Sequence, residues 1–295
     1  MEITFVPVSP ENREVRTLRT GPGQETYIET VEQCLQEAAA LPLWRPLAIY
    51  ANGQLAGFAM YGLWKEEGET GRVWLDRFLI DARFQGRGIA MAALPLLMDR
   101  LFAEYGHDAL YLSLYADNKA AEHVYTKLGF RYNGERDVHG ELVMVYHRPT
   151  VLRAGIRDAG EAGRLALLLW PAHTPEELTQ EMSTLIASPE AAVFLAVAGG
   201  TPMGFAQCQL RRDYVEGTGG DAPVGYLEGL YVEEPYRRQG VARALLAACE
   251  NWAKTQGCRE FASDCELNNE QSLHFHLGAG FREANRIICF VKELA

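Results

Sequence analysis

No CxxC pair occurs in this chain, although it carries six cysteines: Cys34, Cys208, Cys249, Cys258, Cys265 and Cys289. That excludes the spacing of zinc ribbons and dithiol redox motifs. Five of the six fall within apolar runs of the second half, as small buried hydrophobes do, so a reducing cytoplasm is the expected compartment. No signal peptide fits the N-terminus, where Glu2, Pro7, Pro10 and Glu11 interrupt any apolar stretch, and no run is long enough to span a membrane. Positive charge is also short. With 28 Lys and Arg against 39 Asp and Glu the formal net charge is -11, so the clustered cations that bind nucleic acid are missing. Small cationic molecules are the better-matched partners. No glycine turn reads GxGxxG or ends in Gly-Lys-Ser/Thr, which disfavours a dinucleotide fold and a P-loop.

What is present is a repeat. A chain of 295 residues, 48% hydrophobic, is long enough for two ordinary cores, and its halves resemble each other. Leu75-Asp76-Arg77-Phe78-Leu79-Ile80 and Leu227-Glu228-Gly229-Leu230-Tyr231-Val232 lie 152 residues apart. At the same spacing Gln85-Gly86-Arg87-Gly88-Ile89-Ala90 answers to Arg237-Arg238-Gln239-Gly240-Val241-Ala242. Tyr125 to Phe130 answers to His276 to Phe281 at an offset of 151. Three ordered matches imply a duplicated domain, joined between His147 and Thr150, where Pro149 interrupts regular structure. The expected domains are residues 1–148 and 149–295.

Each half reads in one order. A first strand (3–6; 151–154) leads to helical stretches (29–40; 175–187), then to a hairpin turning at Asn52-Gly53 or Gly199-Gly200, both favourable to positive φ. A long apolar strand (73–80; 224–232) runs into the glycine turn and a long helix (88–104; 240–256). A strand (110–114; 260–265), a short helix and a terminal strand pair close the unit. The fold class is α/β, with two tandem mixed-sheet domains carrying helices on both faces.

The turn has a chemistry of its own. Free backbone N–H groups at a helix start attract a pyrophosphate, and the helix dipole adds to the attraction. Small residues at Gly88, Ala90, Gly240 and Ala242 let the backbone approach the phosphates, and Arg87, Arg238 and Arg243 add charge. At these residues the chain resembles the Gcn5-related N-acetyltransferase (GNAT) superfamily, whose signature is Gln/Arg-x-x-Gly-x-Gly/Ala. The resemblance implies acetyl-CoA as cosubstrate, bound at Gln85, Gly86, Arg87, Gly88, Ile89, Ala90 and Asn118 in the first half. In the second it implies Arg237, Arg238, Gln239, Gly240, Val241, Ala242, Arg243 and Asn269. It also implies an opening beside the strand before each turn, with the backbone N–H groups near Ile80 and Val232 holding the thioester carbonyl.

The second half resembles the chromosomal type of aminoglycoside 6'-N-acetyltransferase. The likeness rests on Trp170, the run Arg211 to Thr218, the strand Gly225 to Gly229, and Ala262-Ser263-Asp264-Cys265 followed by Asn268 and Asn269. Glu228 and Asp264 are carboxylates on otherwise apolar strands, where burying an unpaired charge is costly. An amine with a pKa near 10 must lose a proton before it attacks a thioester. By resemblance Asp264 is the base and Glu228 holds substrate or water. Trp170, Tyr214, Glu216 and Tyr226 line the substrate side, with Asp213 and Asp221 in the same acidic loop. The general-acid tyrosine of the superfamily is replaced here by His276.

The first half resembles bacterial spermine/spermidine or diamine acetyltransferases through Gln24-Glu25, the helix at 28–39, Trp44-Arg45-Pro46, Gly57 to Gly62, and Asp76 to Asp81 with Phe84-Gln85-Gly86. Here the general-acid position holds Tyr125, seven residues after Asn118. Asp76, at the repeat position of Glu228, faces an amine, and Glu66, Glu67 and Glu69 precede it in an acidic loop. Ser113 stands where the other half has Asp264. The expected activity is direct acetyl transfer to a primary amine in a ternary complex, since neither half offers a nucleophile with an adjacent base. The alternative is a tandem protein with one active half, similar to mycothiol synthase, and one non-catalytic acetyl-CoA-binding or structural half. Expected partners are a small cationic amine, with a homodimer allowed, and neither nucleic acid nor a membrane.

Overall fold

Two tight turns start both sheets. Asn52 and Gly53 have φ of 48° and 76°, and Gly199 and Gly200 have 55° and 78°, the paired left-handed geometry whose twist matches antiparallel strands. The computed structural model describes residues 1–9, 12–213, 215–219, 223–288 and 290–293. The chain folds as two units, Met1–Arg148 and Pro149–Ala295.

In the first unit the strands are β1 (Ile3–Pro7), β2 (Arg45–Ala51), β3 (Gln54–Trp64), β4 (Arg72–Ile80), β5 (Ala109–Leu114), β6 (Arg131–Arg136) and β7 (Leu142–His147). They form one sheet in the order β1-β2-β3-β4-β5-β7-β6. Helices α1 (Val31–Ala40), α2 (Ile89–Tyr105) and α3 (Lys119–Leu128) complete the unit. One face of the sheet packs Leu94, Leu97, Leu101 and Phe102 of α2 with Tyr125 of α3. The other packs Phe58 and Met60 against Val31 and Cys34 of α1. Phe58, Tyr61 and Phe130 are fully buried, each contributing about 1.5–3 kcal/mol of apolar burial.

The second unit repeats this plan with β8 (Thr150–Arg153), α4 (Ala159–Leu169), α5 (Pro175–Ala187), β9 (Ala191–Ala198), β10 (Thr201–Arg211), β11 (Val224–Val232), α6 (Val241–Thr255), β12 (Phe261–Ser263) and α7 (Glu270–Ala279). Its sheet order is β12-β11-β10-β9-β8. Leu245, Cys249 and Trp252 of α6 cover one face, and Leu165, Ala166, Leu178 and Met182 of α4 and α5 cover the other.

Among the described residues the expected terminal strand pair forms only in the first unit. There Asp137 accepts the backbone N–H groups of His139 and Glu141, both at 2.9 Å, and closes the turn between β6 and β7. The second unit has no Asp-Gly turn former in the shorter segment after Phe281, and among its described residues that segment contains no strand.

The bulge on each long strand positions the site. Met60 pairs with Arg77 and Tyr61 with Leu75, so Asp76 is an extra residue on β4. Gln207 pairs with Gly229 and Cys208 with Leu227, so Glu228 is the extra residue on β11. A bulge shifts the period-two alternation by one. Val73 and Leu75 face the α2 side before it, whereas Phe78 and Ile80 face that side after it.

Candidate active site

Both long strands lose their outer neighbour at the bulge. β4 and β5 pair in parallel only at Trp74 and Tyr111. β11 and β12 pair at 225–227 with 261–263 and stop there. Extending each register past the last pair brings the line to Glu228 and Asp264 in the second unit and to Asp76 and Ser113 in the first. Each unit therefore opens at its sheet beside a bulged carboxylate.

Further along, the strand end presents a free amide. The N–H of Asp81 donates to Ala56 on β3, and that of Glu233 donates to Met203 on β10, both at 2.9 Å. Amide directions alternate along a strand, so the N–H groups of Ile80 and Val232 point to the open edge. The turn residues hold these ends in place. Gln85 Nε2 donates to the Ile80 carbonyl at 3.0 Å, and Arg237 Nε donates to the Val232 carbonyl at 2.8 Å. The variable first residue of the motif thus does the same job in both units, bracing the turn. Asp81 is buried and opposes its own burial with three sets of bonds: from the Arg83 side chain, the Arg83 amide and the Arg19 amide. Burial pushes its pKa up, but these bonds outweigh it and hold the carboxyl below the ordinary range.

The helices begin at Gly88 (φ 76°) and Gly240 (φ 83°), and no side chain caps either helix. A Cβ at either glycine would meet nothing within 4 Å. The first-turn amides, at Ile89 and Ala90 and at Val241 and Ala242, thus start each helix without a side-chain cap, while the Ile89 and Val241 side chains anchor the helix in the core. Such a cradle fits the pyrophosphate of a coenzyme A. Gly86 has φ 72°, and its repeat position Arg238 has φ 62°, a left-handed conformation that costs a residue with a Cβ roughly 1–2 kcal/mol. Arg238→Gly is expected to stabilise the chain by about 1 kcal/mol, read as a higher midpoint in denaturant unfolding.

Other expected cofactor residues are engaged within the protein. Asn118 and Asn269 cap α3 and α7, accepting from the amides of Ala121 and Ser272. Gln239 donates to the Pro235 carbonyl, Arg243 ties α6 to the Gly278 carbonyl at 2.7 Å, and Arg87 lies over the Phe84 ring.

In the second unit Glu228, Asp264 and Tyr226 come together. The Tyr226 hydroxyl bonds to Asp264, and burial followed by the Asp264 charge pushes its pKa up to about 12. The Arg211 guanidinium stacks 3.4 Å above the Tyr226 ring and grips Glu228 through Nη2 at 3.0 and 3.1 Å. Gln209 Nε2 adds a bond to Glu228 at 2.6 Å. Asp264 itself is exposed. Trp170 lies against the bulge, since a Cβ on Gly229 would come within 2.5 Å of its ring. Glu216 and Asp213 are exposed; Tyr214 and Asp221, like Cys289, lie outside the described residues. His276 has both ring nitrogens engaged. Nδ1 donates to the Ser272 carbonyl at 2.7 Å and Nε2 meets the Ser263 hydroxyl at 3.0 Å.

In the first unit Asp76 is a half-buried carboxylate. Burial raises its pKa to about 6 against the pull of Arg77, whose Nη1 is 2.9 Å away. Arg77 also pairs with Glu29 at 2.6 Å and Glu37 at 3.7 Å. Tyr125 packs edge-on against Phe130 at 5.7 Å, as His276 does against Phe281 at 5.1 Å. Burial raises the Tyr125 pKa, so its proton stays on at neutral pH. Glu67 accepts the Trp74 Nε1–H at 2.8 Å, while Glu66 and Glu69 stay exposed. Sequence reasoning missed Glu29, Glu37 and Glu141, and cited Arg211 only as part of a run.

The model of the acetyltransferase (GNAT) family matches residues 13–130 and again 163–281. Spermine/spermidine N(1)-acetyltransferase of Bacillus subtilis (strain 168) is 40% identical over 149 residues, which is 49% of this chain and 98% of that protein. Aminoglycoside N(6')-acetyltransferase type 1 of Stenotrophomonas maltophilia is 45% identical over 150 residues, 50% of this chain and 95% of that protein. A solved structure of aminoglycoside N-acetyltransferase AAC(6')-Iy in complex with CoA is 33% identical, covers 50% of this chain and 96% of its own, and superposes with a TM-score of 0.48. With the family matched twice and a pyrophosphate cradle at the head of a helix in each unit, the chain belongs to the GNAT acetyltransferases and is an acetyl-CoA-dependent N-acetyltransferase.

Proposed function

We propose that the second unit acetylates the 6'-amino group of aminoglycosides and the first acetylates polyamine-like amines. One observation carries this reading: each unit sets a bulged carboxylate at the open edge of a strand whose far end leads into a helix start with uncapped amides. The two relatives act on these two amine classes by name. The motifs of the second half assign it the aminoglycoside, and those of the first half assign it the polyamine.

Bound acetyl-CoA supplies an acetyl thioester. The amides of residues 88–90 and 240–242 hold its pyrophosphate, and the Ile80 and Val232 N–H groups polarise the carbonyl. In the second unit Asp264 takes the proton of the attacking amine. Tyr226, Trp170, Tyr214 and Glu216 shape the substrate side, and Glu228 receives a neighbouring ammonium group in competition with Arg211. His276, with both nitrogens engaged, is assigned no part in proton transfer. In the first unit Asp76 attracts the ammonium and Tyr125 gives its proton to the leaving sulfur.

No described helix is long and apolar enough to cross a membrane, and Cys34, Cys208, Cys249, Cys258 and Cys265 are free thiols, which suits the cytoplasm. Ile287, Ile288, Phe290 and Val291 are 75–98% exposed, an apolar run suited to the interface of a homodimer. Thiol release from acetyl-CoA against a panel of aminoglycosides, polyamines and amino-terminal peptides tests the assignment. Turnover of both the aminoglycosides and the polyamines supports it, and turnover of peptides alone would overturn it.

A further inference from the structure

We propose that Glu141, just before β7, is the proton acceptor for the amine in the first unit, the duty Asp264 has in the second. This rests on the polyamine reading of that unit. The repeat leaves a gap: Ser113 occupies the position of Asp264, and a serine hydroxyl does not accept a proton from an ammonium group near neutral pH.

The sheet order fills that gap from elsewhere. β7 pairs with β5 through Ser113 with Val143 and Leu114 with Leu142. The next residue, Glu141, therefore falls beside Tyr115, just past the end of β5. Ser113 and Tyr115, two residues apart and so on one face of the strand, neighbour Glu141 and pull its pKa down. The second unit has no strand at this place among its described residues, so it has no equivalent of Glu141. The hairpin holds Glu141 firmly: its N–H donates to Asp137 Oδ1 at 2.9 Å, and its carbonyl accepts the Asp137 N–H at 3.1 Å.

The choice between Glu141 and Asp76 follows from their partners. Asp76 is paired with Arg77 at 2.9 Å, which occupies its carboxylate and, above its pKa of about 6, suits it to attracting a cation. The β5 neighbours of Glu141 are the neutral hydroxyls of Ser113 and Tyr115. The charged and titratable groups around it are Asp76 and Arg77 on β4, Tyr115 after β5, Asp137 in its own hairpin and Glu29 ahead of α1. Burial, then Asp137, raises its pKa, and Ser113, Arg77 and Tyr115 pull it down, with a net rise. Both carboxyls lie above the ordinary range, so it is the direct ion pair of Asp76 with Arg77 that separates them and leaves Glu141 the freer acceptor of an ammonium proton.

The proton balance is closed. Glu141 takes one proton from the ammonium and passes it to solvent. The freed nitrogen pair forms the N–C bond while the C–S bond breaks, its electron pair leaving on sulfur. Tyr125 protonates the sulfur, and the second nitrogen proton restores Tyr125 through solvent.

The test uses the full chain with acetyl-CoA and spermidine. Glu141→Gln is expected to lower spermidine kcat by roughly 10²- to 10³-fold and to leave aminoglycoside turnover and the KM for acetyl-CoA at wild-type values. In the wild type kcat rises with pH as Glu141 loses its proton; the variant loses that limb but keeps the limb of kcat/KM near pH 6 that belongs to Asp76. Glu141→Asp, which keeps a carboxylate, should recover part of kcat. Wild-type kcat and an unchanged pH profile in Glu141→Gln would overturn the proposal alone, as would equal losses in the Gln and Asp variants. A wild-type chain that does not acetylate spermidine would overturn the polyamine reading and this proposal with it.

Discussion

Asp264→Asn should lower aminoglycoside turnover by roughly 10²- to 10⁴-fold, the range typical of a lost general base. The substitution is nearly isosteric, and the amide oxygen can still accept the hydrogen bond from Tyr226. Coenzyme A affinity should stay near wild type, because the amides at Gly240 lie at the far end of β11 from Asp264. A second readout comes from Tyr226. Its pKa of about 12 is due first to burial and then to the Asp264 charge, so removing that charge should lower it in a spectrophotometric titration. A variant that keeps full turnover while Tyr226 shifts would make Asp264 a structural partner of that hydroxyl and nothing more.

Tyr125→Phe should suppress spermidine turnover by about 10²-fold or more, within the range of a lost general acid, and leave aminoglycoside turnover intact. Only a hydroxyl is removed. The ring keeps its edge-on contact with Phe130, so the melting temperature should stay near wild type. If both activities fall while the fold survives, the units are coupled. If neither changes, Tyr125 is a core residue and the first unit binds without turning over.

Much of this architecture can be read from residue order. The duplicated glycine turns, the Asn52-Gly53 and Gly199-Gly200 hairpins and the two long helices carry their signals within a few adjacent residues. The bulges do not. A bulge is a slip of one residue inside a run that is apolar on both faces, so Val73-Trp74-Leu75-Asp76-Arg77-Phe78 reads as one strand until pairing with β3 exposes the phase change. Glu141 was illegible for a related reason. β7 inserts between β5 and β6, which puts Glu141 beside Tyr115, next along from Ser113, although 26 positions separate Glu141 and Tyr115 in sequence. Arg211 likewise reaches Glu228 only because β10 and β11 are antiparallel neighbours. The role of Gln85 and Arg237 in bracing the strand end was hidden too, since a motif specifies residue types and not the carbonyls they bond.

Two separate amine sites on one chain have a direct kinetic signature. Thiol release from saturating acetyl-CoA should be measured with saturating spermidine, with a saturating aminoglycoside, and with both together. Independent sites predict that the rate with both amines equals the sum of the two separate rates. A single site shared by both amines would instead give a mixed rate lying between the separate ones, and that result would contradict the assignment of one amine class to each unit.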